Sequence, residues 1–218
     1  MRIALINGSP KVSGSASGIL LNDLRTKLTK EKCGETGFSE AEIAEVNLHT
    51  SSVPEKALKE LKDADVLVFA CPLYVDGLPA HLLSCLIQLE ASFYNRKKQV
   101  YGIVNCGFYE GIQAETALEI FGNWCVSAGL NWGGGIGAGG GGALAVLPDM
   151  PSGKDPKAPI EKALSALTEA IVRENALENI YVSPAMPRIL YKMAAQAGWR
   201  QTIKKNGGKR KDLNKRLE

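Results

Sequence analysis

Short apolar runs alternate along this chain with longer segments whose apolar residues recur every three or four positions. The runs predict buried parallel strands at Arg2–Asn7, Asp65–Cys71 and Val100–Val104, with a Gly-rich strand at Asn131–Ala138. Between them, helical spacing places Leu20, Leu21, Leu24 and Leu28 on one face, and Leu58 and Leu61 within Pro54–Lys62. The same spacing runs through Pro79–Phe93, Ile112–Leu130 and Ile160–Leu177. Glu42–Asn47 reads two ways: as a strand, or, with Ser39, as the capping box of a helix. Five strands alternating with five helices predict an α/β fold built on a doubly wound parallel sheet. Ligands of such sheets bind outside the carboxyl ends of the strands. The loops after strands one, three and four are therefore the candidate site.

The first loop runs Gly8-Ser-Pro-Lys-Val-Ser-Gly-Ser-Ala-Ser17 and feeds a helix. Backbone N–H groups, hydroxyls and the helix dipole converge in such a loop and favour an anion, here a phosphate monoester. Ser9, Ser13, Ser15 and Ser17 offer hydroxyls and Lys11 a charge. The spacing fits neither the Walker loop nor the Gly-x-Gly-x-x-Gly dinucleotide turn. The plainer reading is a solvated strand-to-helix turn with a serine cap. After strand three, Pro72 stops the ladder, Asp76-Gly77 signals a turn, and Pro79 suits the start of a helix. Tyr74 offers an aromatic ring beside free backbone N–H groups, suited to a planar heterocycle. After strand four, Asn105-Cys-Gly-Phe-Tyr-Glu-Gly111 again sets polar and aromatic groups between glycines, and Asn105 could pair with the amide edge of a ring.

Composition narrows the field. At 45% hydrophobic residues, the 218-residue chain can bury a sizeable core in one domain with an appendage. No apolar run is long enough to cross a bilayer, and the start shows no signal-peptide pattern. Five widely spaced cysteines without a CxxC point to a reducing cytoplasm and not to a disulfide frame. Neither His49 nor His81 has metal-ligand spacing or a catalytic constellation around it, so no metal and no catalytic side chain is expected. Gly137–Gly142 contains Gly-x-Gly-x-x-Gly but lies late in the chain and opens no long helix, which excludes a dinucleotide site. Residues 188–218 hold ten Lys or Arg against Asp212 and Glu218, a net +8, leaving −5 on the rest of a +3 chain. With few aromatics between the charges, this tail is expected to be an amphipathic helix over 188–205, frayed after Gly207. It should dock on its own or a partner subunit and contact neither nucleic acid nor membrane.

Gly8-Ser-Pro-Lys-x-x-Gly-Ser-x-Ser17 resembles the FMN phosphate loop of the NADPH-dependent FMN reductases and flavodoxin-like quinone reductases. Pro72-x-Tyr74-x-x-x-x-Pro79-x-x-Leu82 is similar to their second flavin loop, and the tail from Pro184 to Lys205-Asn-Gly-Gly208 to a bacterial branch of the superfamily. The resemblance implies a flavodoxin-like sheet of order 2-1-3-4-5 in residues 1–183, with a helical extension in 184–218. It implies FMN, with its phosphate at Ser9, Lys11, Ser15, Ala16 and Ser17. The isoalloxazine would lie against Pro72, Leu73, Tyr74, Asp76 and Gly77, with Asn105, Cys106, Gly107 and Phe108 closing the other side. The implied activity is hydride transfer from NAD(P)H to FMN and on to a quinone, flavin or similar small acceptor, in a homodimer. A non-enzymatic electron-transfer flavodoxin is the alternative. Lys11 stands where relatives often have Arg, and Leu83 where many have Lys. Leu48-His-Thr-Ser-Ser52 lacks the cysteines of the iron–sulfur branch.

Overall fold

A computed structural model describes residues 1–32, 41–93, 97–141, 157–209 and 212. Ser39, Cys33, Gly142 and most of the tail beyond Lys209 lie outside them. The chain divides into two compact units, Met1–Pro184 and Ala185–Glu218.

The first unit runs β1 (Arg2–Asn7), α1 (Ala16–Lys32), β2 (Glu42–Asn47), α2 (Glu55–Asp63), β3 (Val66–Pro72), α3 (Ala80–Phe93) and β4 (Gln99–Asn105). A 3₁₀ turn (Gly111–Ala114), α4 (Glu115–Ala128), β5 (Asn131–Ala138), α5 (Ala158–Val172) and β6 (Ile180–Val182) complete it. All strands pair in parallel, in the order β2-β1-β3-β4-β5-β6. Glu42–Asn47 is thus a strand, in register with all of β1. The order 2-1-3-4-5 is as expected; β6 adds a short sixth strand that the apolar pattern did not mark.

Strand residues alternate between two cores, as the period of two requires. Ala4, Ile6, Leu67, Phe69, Val100 and Val104 face α2, α3 and α4, while Ile3, Leu5, Val66, Val68, Tyr101 and Ile103 face α1 and α5. In the first core Phe69 lies edge-on to Trp124 at 5.7 Å, and the Trp124 indole N–H donates to the Leu86 carbonyl at 2.9 Å. In the second, the Tyr101 hydroxyl shares its proton between the carbonyls of Ala170 and Asn175, at 3.1 and 2.8 Å. Burial pushes that phenol up to about 12.

Two elements end earlier than their apolar spacing predicts. Helix α4 closes on Gly129 at φ 69°, with Leu130 N–H bonded to Cys125 O at 2.8 Å, a Schellman-type stop. Helix α5 stops at Val172, and Glu174 turns left-handed at φ 52°. Leu177 N–H then bonds Gly133 O, which leads the chain into β6. Strand β5 takes one extra residue against β4: Val100 pairs with Trp132, but Gly102 with Gly135. Gly134 sits in that bulge at φ 96°, where a Cβ would overlap the Leu177 carbonyl.

In the second unit, α6 (Arg188–Lys205) is the expected helix, and no residue of it is buried. Its sides are less segregated than expected. At 3.6 residues per turn, Arg200 and Lys204 continue the line of Ile189, Met193 and Ala197.

Candidate functional site

The three loops stand at the carboxyl ends of β1, β3 and β4, which are adjacent in the sheet order β1-β3-β4. Loop one leaves β1 at Gly8, whose N–H bonds Ala70 O at 2.8 Å. A Cβ at Gly8 would meet Leu82 Cδ2 at 2.7 Å, so the backbone passes close against α3. The Ser9 N–H donates to Asn7 Oδ1, and Ser9 Oγ accepts the Lys11 N–H at 3.2 Å. Ser15 caps α1: its Oγ accepts the Gly18 N–H at 3.0 Å and its carbonyl the Ile19 N–H. Ser9, Ser15 and Ser17 are buried, whereas Lys11 and Ser13 are exposed.

This loop fits a phosphate group. The backbone N–H groups of residues 12–17 find no acceptor among the described residues. The hydroxyls of Ser9 and Ser15 accept hydrogen bonds, which leaves their protons to donate. The α1 N-terminus adds its dipole. Lys11 supplies a charge from the exposed rim.

Two histidines that sequence spacing left without a role brace the loop. The His49 Nδ1–H donates to Ser9 O at 2.6 Å, and the His81 Nε2–H to Leu48 O at 3.1 Å. Their only sequence signal is position: one follows β2 and the other opens α3.

Loop two is a tight two-residue turn. Tyr74 and Gly77 exchange backbone hydrogen bonds at 3.0 and 3.1 Å. Val75 and Asp76 occupy its centre at φ 49° and 57°, the signature of a type I′ turn. Asp76-Gly77 therefore does not form the corner. Gly77 closes the turn, lying where a Cβ would touch Ile120 Cδ1 of α4 at 3.7 Å. Tyr74 is 47% exposed and Val75 fully so. Pro72 ends β3, and Leu73 N–H bonds Asn105 O at 2.8 Å.

Loop three begins at Asn105, where the site is tied together. Ser17 Oγ donates to Asn105 Oδ1 at 2.7 Å, both residues being buried. The Asn105 backbone carbonyl holds loop two, and its Nδ2 faces Gly141, where a Cβ would stand 3.1 Å away. Asn105 is thus a knot between loops, a role its position as a polar residue at a strand end did not reveal. Cys106 N–H bonds Ala138 O, and Gly141 N–H bonds Cys106 O. The Cys106 thiol is buried, and desolvation raises its pKa, with Glu110 adding to the rise and a backbone hydrogen bond at Phe108 opposing it. It stays a neutral thiol near neutrality and is no nucleophile. Gly107 and Phe108 follow, and the Phe108 ring is 56% exposed.

The structure therefore joins Ser9, Ser15, Ala16 and Ser17 in one loop, and links it through Ser17 and Asn105 to Pro72–Gly77 and Cys106–Phe108. A separate cavity of about 100 Å³ between β1, β2 and α1 is lined by Asn7, Asn22, Glu45 and Asn47 among others, and touches neither loop two nor loop three. Among the described residues no cluster of His, Cys, Asp and Glu could hold a metal, and no helix is long and apolar enough to cross a membrane.

No protein-family model and no curated protein matches the sequence. Solved structures do resemble it. A flavone reductase aligns with a TM-score of 0.58 at 12% identity, over 82% of this chain and 66% of its own. A short-chain flavodoxin associated with a bacterial microcompartment aligns at 0.53 and 15% identity, over 81% and 100%. An azoreductase from Bacillus anthracis aligns at 0.51 and 17% identity, over 80% and 99%. Together with the strand order, these likenesses establish that the chain has the flavodoxin-like fold.

Proposed function

We propose that the protein is an FMN-dependent oxidoreductase that takes hydride from NAD(P)H and passes it to a small acceptor such as a quinone or a flavin. One observation carries this reading: a loop with unspent N–H groups and serine hydroxyls is hydrogen-bonded, through Ser17 and Asn105, to two loops that present exposed aromatics. Ser9, Ser15, Ala16 and Ser17 would hold the phosphate, with Lys11 as a nearby charge. Pro72, Leu73, Tyr74, Asp76 and Gly77 would line one side of the ring, and Asn105, Cys106, Gly107 and Phe108 the other. Bound there, FMN supplies the hydride chemistry, and no side chain of the protein need react.

The residues orient and polarise. Tyr74 and Phe108 offer faces for stacking. The remaining backbone N–H groups of loops two and three would favour negative charge on a reduced ring. The apolar rim excludes water once an acceptor sits on it. A second protomer would complete that wall, so the working form is a homodimer in the cytoplasm. A flavodoxin that only carries electrons has the same fold, but exposed aromatics at an open ring edge favour a site that admits a nicotinamide.

Purified protein should be yellow, and anaerobic NADH or NADPH should bleach it. Yellow protein that neither reductant bleaches overturns the reductase reading in favour of the electron carrier. Colourless protein that does not take up added FMN overturns both.

A further inference from the structure

The described residues of the second unit expose apolar surface next to a dense positive charge. In α6, Ile189 is 73%, Met193 63% and Trp199 61% exposed. At 3.6 residues per turn, Ile189, Leu190, Met193, Ala194 and Ala197 share one side of the first three turns. Arg200 and Lys204 then continue that side, while Trp199 and Lys192 lie on the far side of the helix. The sequence from Arg200 to Arg216 carries eight Lys or Arg against one acidic residue, Asp212.

We infer that α6 binds the surface of an anionic phospholipid bilayer. This replaces the expectation that the tail avoids membranes, and it does not depend on flavin binding. An apolar patch that runs on into a basic patch is complementary to acyl chains bordered by phosphates. Basic residues contribute at a bilayer surface additively, and apolar side chains enter at the boundary between headgroups and chains. RNA would account for the charge but not for Ile189, Leu190 and Met193. These side chains offer no stacking face, and Trp199 is the lone exposed aromatic of large area among the described residues of this helix.

Sedimentation of the full-length protein with lipid vesicles tests the inference. It should bind vesicles of phosphatidylcholine mixed with phosphatidylglycerol at least about tenfold more tightly than phosphatidylcholine alone, and high salt should weaken the binding. Ile189→Glu with Met193→Glu should abolish binding, and so, separately, should Lys204→Glu with Lys205→Glu. These residues are unburied, and unchanged circular dichroism would confirm that the variants fold. Failure of the wild type to sediment with the mixed vesicles overturns the inference. So does binding that both double variants retain, which would place the contact elsewhere. Capture of a single-stranded RNA homopolymer without any vesicle binding overturns it in favour of nucleic acid.

Discussion

Single residues set the limits of this site. Val75 is a β-branched residue held at φ 49° with its side chain in solvent, so strain is retained there without packing in return. Asn tolerates the left-handed region far better, and Val75→Asn should stabilise the protein by about 1 kcal/mol. A thermal melt of the flavin-free protein should show it as a rise of roughly 2–4 °C. Ser15 serves both the helix and the proposed phosphate. Ser9→Ala with Ser15→Ala should weaken FMN binding at least about tenfold, since both hydroxyls have a proton left to donate and each charge-assisted hydrogen bond contributes about 1.5–3 kcal/mol. Fluorescence titration reads this directly, and unchanged affinity would remove the loop from the site. Serines, a lysine and glycines at a strand end were legible as an anion loop because donors converge there whatever the fold. The bracing by His49 and His81 was not legible, because each donates to a carbonyl that only the fold brings near.

Elements were legible where one physical cause governs them. Buried on both faces, β1, β3 and β4 read as unbroken apolar runs. Edge strand β2 mixes Glu42 and Glu45 with Ile43 and Val46, so its pattern also fitted a helix. Strand β6 is three residues long, too short to carry any period. Where α1 meets α5, charge sits at the edge of the apolar core. Lys27 pairs with Glu161 at 2.9 Å, and the pKa of nearby Asp23 is raised, by burial first and by Glu161 second, against the pull of Lys157 and Lys27. A carboxyl whose pKa rises on folding costs no stability below its unfolded value near 3.8, and weakens the fold as pH rises through its folded value. Asp23→Asn should therefore raise the melting temperature at neutral pH. The gain should vanish as the pH falls below that unfolded value. A gain that persisted in acid would point to packing and not to charge.

At the scale of the sheet domain, three loops separated by some sixty and thirty residues of sequence meet at Asn105. The order of strands and the placement of the loops followed from sequence, because alternation of elements and the switch-point rule fix them together. That the loops are bonded to one another did not, because the Ser17–Asn105 contact spans 88 residues and leaves no local trace. The knot has a thermodynamic consequence. Whatever anion orders Ser17 also orders Asn105, whose backbone carbonyl holds loop two and which opens loop three, so the two halves of the ligand site share a free energy. By reciprocity, each half must report the occupancy of the other. Inorganic phosphate should then tighten the binding of riboflavin, which has the ring and no phosphate. A buried neutral hydrogen bond of about 1 kcal/mol sets the scale at several-fold. In Asn105→Ala the two ligands should bind independently, and calorimetric titration of riboflavin with and without phosphate would measure the difference. The molecule would thus distinguish FMN from its dephosphorylated precursor not only by an added contact, but by cooperation between the contacts it already has.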